Sequence, residues 1–147
     1  LSTDYEAGVA ALNTIVSTNL LEGLESLPGK ENQNLQMEIR NLLNDIEREP
    51  YAPRAVQIAR FKQSQRYNAT ITAGLLAKLR DPTLSTAEKK PLESQYVKMR
   101  SLGMDLDKVI KRLETFSGQP QGDGMLMTTP EGSLDLMQFM PQGGTTQ

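Results

Sequence analysis

The stretch YEAGVAALNTIVSTNLLEGLESL, residues 5–27, decides the fold of this chain. Its large apolar residues recur at steps of three and four, which places them on one face of an α-helix. Upstream, Thr3-Asp4-Tyr5-Glu6 has the pattern of a capping box, and Pro28-Gly29 ends the periodic pattern downstream. We therefore expect a first helix over residues 3–27 that turns this face to a core. The face is formed by Tyr5, Val9, Leu12, Val16, Leu20, Leu24 and Leu27.

Two further segments continue the helical pattern. The second runs over residues 31–48 and ends before Pro50, because a residue that precedes proline is pushed out of helical geometry. It is the shortest segment, so we expect it to cover only part of the core and to leave apolar surface for another copy of the chain or another protein. The third opens at Pro53, a residue suited to the first turn of a helix, and reaches about Arg80.

The fourth segment starts with two opposing signals. Ser85-Thr86-Ala87-Glu88 is a second capping box. Pro91 lies too deep for a first turn and would remove a backbone hydrogen bond, so we expect a kink there and the main helix over 91–116. The connections are short, which makes consecutive helices antiparallel neighbours. The sequence thus predicts an all-α, up-down-up-down four-helix bundle over residues 1–117, with helices of unequal length.

The middle of the third segment, residues 62–70, is mostly polar. A helix that is buried in a core should not be polar for two turns. We therefore expect this stretch to face water or a partner. It contains Asn68-Ala69-Thr70, which matches a glycosylation acceptor; the pattern is common by chance, and we expect it to be unused.

Residues 118–147 differ in composition from the rest of the chain. They are rich in Gly, Pro, Gln and Met and contain no Lys or Arg, which predicts an extended, mostly irregular C-terminal arm. Asp123, Glu131 and Asp135 give the arm a formal charge of −3, which leaves +1 on residues 1–117.

One island in the arm is apolar. Segments of this kind dock in a groove or add to a sheet edge of a partner, so its large residues are the candidate partner-binding residues. An alternative is that its methionines fold back onto the chain's own bundle, since Met adapts to many surfaces. The candidates are Leu134, Leu136, Met137, Phe139 and Met140.

The residue types present exclude several classes of site. The chain has no Cys and no His, so it lacks thiolate ligands, the commonest general base and the commonest metal ligand. Aromatic residues are few and there is no basic face, which argues against general binding of nucleic acid. No apolar run reaches the roughly 18–20 residues of a membrane span. We therefore expect no catalytic residue, cofactor, metal or small-molecule substrate.

Charged clusters have structural explanations. Asp105 and Asp107 are two residues apart, which points their side chains away from each other on a helix. Lys108, Lys111 and Arg112 lie in the last turns of the fourth segment, where cations suit the negative end of the helix dipole. An acidic partner surface or a phosphate backbone is the alternative for this basic cluster.

A helical body with an acidic arm predicts a non-enzymatic structural or adaptor subunit of a large protein assembly. The arm would dock on a neighbouring subunit, which includes the case of a second copy. In architecture alone the chain resembles adaptor and connector proteins of virus particles, and also extrinsic helical-bundle subunits of membrane complexes. The alternative is therefore such a subunit or regulator in an exported or organellar compartment.

The first residue is Leu1, which fits a removed leader or a numbering that begins inside a longer product. An enzyme would need carboxylate, Lys or Tyr chemistry.

Overall fold

The computed structural model of the chain describes residues 2–27 and 29–115. In this part the chain forms helices and no strand, which confirms an all-α helical bundle for these residues. The four helices are α1, Ser2–Leu24; α2, Lys30–Arg48; α3, Arg54–Leu79; and α4, Thr86–Thr115.

The predicted apolar faces form one core. Each of its large side chains is worth about 1.5–3 kcal/mol when it is fully buried, and all four helices contribute. The buried residues include Val9, Leu12, Val16, Leu20 and Leu24 of α1, Ile39, Leu42 and Ile46 of α2, Phe61, Ile71 and Leu75 of α3, and Met99, Leu102, Leu106, Val109 and Leu113 of α4.

Helix α3 is the centre of the packing. It contacts the other three helices, and its interface with α4 is the most extensive of all. Helix α1 also contacts the other three helices, mainly α2 and α3, whereas α2 and α4 do not contact each other within the described residues. Helix α2 therefore packs on α3 and leaves α4 uncovered.

The start of α4 corrects one prediction. The capping box is confirmed, because the Ser85 N–H donates to the Glu88 carboxylate (2.8 Å) and the Glu88 N–H donates to Ser85 Oγ (3.1 Å). The helix begins at Thr86 and continues through Pro91, so a main helix that starts at Pro91 is wrong. Pro91 is exposed, and its missing N–H costs the helix one backbone hydrogen bond. The capping box stabilises the turn before it, and the helix continues despite this loss.

The other helix starts lie within a residue of the predictions. Helix α1 begins at Ser2, so Thr3 lies inside it rather than at its N-cap. Helix α3 begins at Arg54, and Pro53 is its N-cap instead of a first-turn residue. The turn before α2 contains Gly29 at φ 146°, a backbone conformation that favours glycine.

The polar middle of α3, residues 62–70, faces solvent only in part. Lys62, Arg66 and Thr70 are exposed as predicted, whereas Ser64, Tyr67 and Asn68 are buried, so the prediction is wrong for one face of the helix. Four polar residues at helical spacing form a buried stripe, each at most 6% exposed: Gln57, Arg60, Ser64 and Asn68. Polar side chains tolerate burial when they make hydrogen bonds. Three of the four donate to backbone carbonyls outside α3.

Gln57 joins α1 to the loop between α2 and α3. Its Nε2 donates to the carbonyls of Pro50 (2.9 Å) and Ala52 (3.3 Å). Its Oε1 accepts a hydrogen bond of 2.6 Å from Asn13 Nδ2, and Asn13 is fully buried. The Gln57 amide thus connects α1 with the α2–α3 loop, which are far apart in sequence.

Arg60 closes the C-terminal end of α2. Its guanidinium donates to the carbonyls of Asp45 (3.1 Å) and Glu49 (3.0 Å). The last carbonyls of a helix have no partner within it and carry its negative dipole end, so a cation suits this position. The buried charge of Arg60 therefore has a structural task.

Candidate functional site

The predicted partner-binding residues lie outside the described residues. This holds for Leu134, Leu136, Met137, Phe139 and Met140, and for the whole predicted arm 118–147. On the described part, the surface best suited to an apolar partner segment is a groove between α3 and α4. We call it the α3–α4 groove.

The α3–α4 groove encloses about 640 Å³, and its lining is mostly apolar. Residues of α3 and α4 alone form it, so neither α1 nor α2 contributes. The lining residues are Asn68, Ala69, Thr72, Ala73 and Leu76 of α3, and Arg100, Gly103, Met104, Asp107 and Lys108 of α4.

Small residues create the groove. Ala69 and Ala73 are four residues apart and share a face of α3, and Gly103 lies opposite them on α4. Met104 stands at the edge with 52% of its surface exposed. Where two helices carry large residues they fill the furrow between them, whereas these short side chains leave it open. This groove was not predicted from the sequence, where its signals are the paired alanines Ala69 and Ala73 and the glycine inside α4.

The floor of the groove is a tight contact between Asn68 and α4. The Asn68 Nδ2 donates to the carbonyl of Met99 at 2.8 Å, and Asn68 is 5% exposed. A Cβ atom on Gly103 would come within 2.6 Å of Asn68 Oδ1, so only glycine allows this approach. The Asn68 amide is thus engaged within the folded chain, and the expectation that the acceptor pattern is unused stays a prediction.

The rim of the groove is mainly basic. Arg100 and Lys108 lie on it, and both side chains are exposed. The one carboxylate of the lining, Asp107, is paired with Lys111 at 3.2 Å. An exposed pair of this kind contributes roughly 0–1 kcal/mol, but it offsets the negative charge of Asp107. The rim thus favours an acidic segment.

The predicted divergence of Asp105 and Asp107 is confirmed. Asp105 is fully buried, whereas Asp107 is exposed. Burial of Asp105 was not expected, although it lies three residues after Leu102 and four before Val109, within the apolar face of α4. The helical spacing that predicted the burial of Leu102 and Val109 also places Asp105 on the buried face of α4.

A second pocket lies between α2 and α3. It encloses about 650 Å³ and contains the charged residues Asp45, Arg48, Glu49 and Arg60. Arg48 is paired with Asp45, and the Arg60 guanidinium is held by the end of α2. These interactions already engage most of the charge in the pocket, so we assign it a structural role.

Tyr67 of α3 lies near Glu38 of α2. It is 6% exposed, and its hydroxyl accepts a hydrogen bond of 2.5 Å from Gln63 Nε2. Burial raises the pKa of Tyr67, the nearby Glu38 carboxylate adds to the rise, and the Gln63 hydrogen bond opposes it. The phenol therefore stays neutral in the folded protein, which suits a packing role.

Within residues 2–27 and 29–115, no group of three or more acidic side chains is placed to hold a metal ion. No helix in the same part of the chain is long and apolar enough to cross a membrane. No protein-family model matches the chain, and neither a curated protein nor a solved structure is significantly similar to it.

Proposed function

We propose that this chain is a non-enzymatic structural or adaptor subunit of a larger protein assembly, such as a virus particle. In this proposal the four helices run up-down-up-down as the body. Residues 118–147 form an irregular arm, and Leu134–Met140 anchor that arm on a neighbouring subunit.

The observation that carries the proposal is the open α3–α4 groove, whose exposed lining is mainly apolar. A groove with an apolar lining and a basic rim accepts a short amphipathic segment of opposite charge. The chain itself contains such a segment, since Leu134–Met140 are apolar apart from Asp135 and Gln138. Surface and segment together give copies of the chain, or related subunits, a way to associate.

The composition of the chain supports a role without catalysis. There is no His and no Cys in the sequence, which leaves few residue types for acid–base or nucleophilic chemistry. The buried polar stripe of α3 is occupied by contacts with helix ends and a loop. Its residues therefore serve the fold.

The size of the native complex tests this proposal. Full-length protein is recovered from its source as wild type and as the Phe139→Ser/Met140→Ser variant, and each is sized by native mass spectrometry. We expect a multi-subunit complex for the wild type and its loss in the variant. Gln142→Ser is the matched control, since it changes a polar residue of the same arm and should leave the complex intact.

Two results would contradict the proposal. A wild-type protein that is monomeric in its native source would argue against an assembly subunit. A variant that enters the complex as well as the wild type does would argue against the arm as the anchor.

A further inference from the structure

We infer that in the free subunit Leu134–Met140 occupy the α3–α4 groove of their own chain. The arm is then sheltered until assembly transfers the same contact to a neighbouring subunit. This inference rests on the proposed function in one respect, because it takes these residues to be the docking segment.

The dimensions of segment and groove agree. Seven helical residues span about 10 Å at 1.5 Å per residue, and the α4 side of the groove, from Arg100 to Lys108, spans about 12 Å on the same basis. In a helix, Leu136, Phe139 and Met140 have the i, i+3, i+4 spacing of segments that anchor in helical grooves. The described part of the chain has no sheet edge to which the segment could add as a strand.

The charges also agree. Asp135 lies within the segment, and the arm contains no Lys or Arg. The groove presents Arg100 and Lys108 on its rim, while Asp107 is paired with Lys111. Electrostatics therefore favour and orient the acidic segment, whereas the apolar contacts hold it.

The length of chain between body and segment favours docking within one molecule. Helix α4 ends at Thr115, about 17 Å along its axis from Met104 at 1.5 Å per residue. The intervening residues 116–133 number 18 and are rich in Gly, Pro and Gln. A random-coil chain of that length would have an r.m.s. span of roughly 21–25 Å. The span matches the distance required, so the effective concentration of the segment at its own groove is on the order of millimolar.

A second copy competes poorly at lower concentrations. At micromolar protein, the segment of another molecule is about a thousandfold more dilute than the tethered one. Inside an assembly neighbouring grooves come equally close, and the same contact can be exchanged between copies as in domain swapping. The α3–α4 groove thus binds Leu134–Met140 of its own chain in the free subunit and those of a neighbour in the assembly.

Photo-crosslinking of the full-length chain tests this inference. p-Benzoylphenylalanine replaces Phe139, isotopically light and heavy chains are mixed at low micromolar concentration, and crosslinked peptides are identified by mass spectrometry. We expect crosslinks from position 139 to residues 69–76 and 100–108, within chains of a single isotope.

A groove variant provides a second measurement. Ala73→Glu places a charged side chain in the α3–α4 groove at an exposed position, so the fold should persist, as circular dichroism would verify. It should reduce the crosslinks by at least about fivefold, as expected when one central contact of an interface is lost. The matched control is Val97→Glu, at an α4 position that is 62% exposed and outside the groove, and it should leave them unchanged.

The outcomes separate this inference from the proposed function. Crosslinks to the groove that join light and heavy chains would overturn own-chain docking and leave the assembly proposal standing. Crosslinks elsewhere, no crosslinks, or equal yields for Ala73→Glu and Val97→Glu would overturn the groove as receptor. The assembly proposal is decided separately, by the size of the native complex.

Discussion

Gly103 of α4 lies so close to Asn68 of α3 that a methyl group at position 103 would come within 2.6 Å of the Asn68 amide oxygen. The amide nitrogen of the same side chain donates to the Met99 carbonyl at 2.8 Å. A buried polar side chain is therefore held between two helices, one of which has no side chain at the point of contact. The most extensive helix interface of the bundle and the floor of the α3–α4 groove share this contact.

Gly103→Ala should destabilise the protein although alanine is the better helix former. The helical propensity gain is about 1 kcal/mol, whereas a displaced buried amide that loses its hydrogen bond costs about 1–3 kcal/mol. We expect a net loss of about 1 kcal/mol in the free energy of unfolding, measured by urea denaturation. In the Asn68→Ala background the obstacle is gone, so Gly103→Ala should there be stabilising. The same sign in both backgrounds would show that the contact with Asn68 is not the cause.

Arg60→Met should destabilise the bundle by about 2–3 kcal/mol, because two hydrogen bonds from a buried charged group to the end of α2 are lost. The Asp45 carbonyl keeps the Glu49 N–H as a donor. Urea denaturation measures the loss. Arg66→Met is the matched control on the same helix, where the side chain is exposed and the change should stay within about 0.5 kcal/mol. Equal effects of the two substitutions would contradict the assigned role of Arg60.

Tyr67→Phe should make stability less sensitive to alkaline pH. The pKa of Tyr67 is raised in the folded protein by burial and by Glu38, so the unfolded chain releases the phenol proton first, near pH 10. The stabilisation from the neutral phenol is present below about pH 10 and is lost as pH rises toward the folded pKa. Denaturation between about pH 9 and 11 should therefore show a steeper decline for the wild type than for Tyr67→Phe. Tyr51→Phe, at a position that is 60% exposed, should keep the wild-type slope.

Ser85→Ala should weaken the start of α4. The hydroxyl accepts the Glu88 N–H at 3.1 Å, and loss of an N-cap side chain costs about 1 kcal/mol. Thermal unfolding would measure this, and Ser94→Ala, at an exposed position inside the same helix, should show no such loss. If Ser85→Ala left the thermal stability unchanged, the capping box would not stabilise the start of α4, and Pro91 would be the residue that limits its stability.

The same cap should depend on acidic pH through Glu88. The Ser85 N–H and hydroxyl lower the pKa of Glu88 below its ordinary value of 4.5. A lowered folded pKa gives stability that is present above the unfolded pKa and is lost as pH falls through the folded one. The stability difference between wild type and Glu88→Gln, followed by thermal unfolding, should thus shrink below about pH 4.5. A difference that is constant down to pH 3 would contradict the carboxylate's part in the cap.

Spacing alone predicted the helices and most of the core. Leu12, Val16 and Leu20 recur at helical intervals, and their burial could be predicted without knowing which residues pack against them. The capping box at Ser85 was equally readable, because its two hydrogen bonds join residues three apart. The predicted anchors of the arm, Leu134–Met140, lie outside the described residues and stay predictions.

The sequence by itself determined four amphipathic helices and an arm of different composition, because both depend on residues that are close along the chain. The tertiary structure decided that the polar stripe of α3 is buried, since Gln57, Arg60 and Asn68 find carbonyl partners 5–31 positions away in sequence. It also decided where the α3–α4 groove lies, because a furrow forms only when Ala69, Ala73 and Gly103 are brought together and neither α1 nor α2 lines it. Local pattern sets which face of a helix is apolar, whereas the partners of a polar group and the openness of a surface depend on what packs against them.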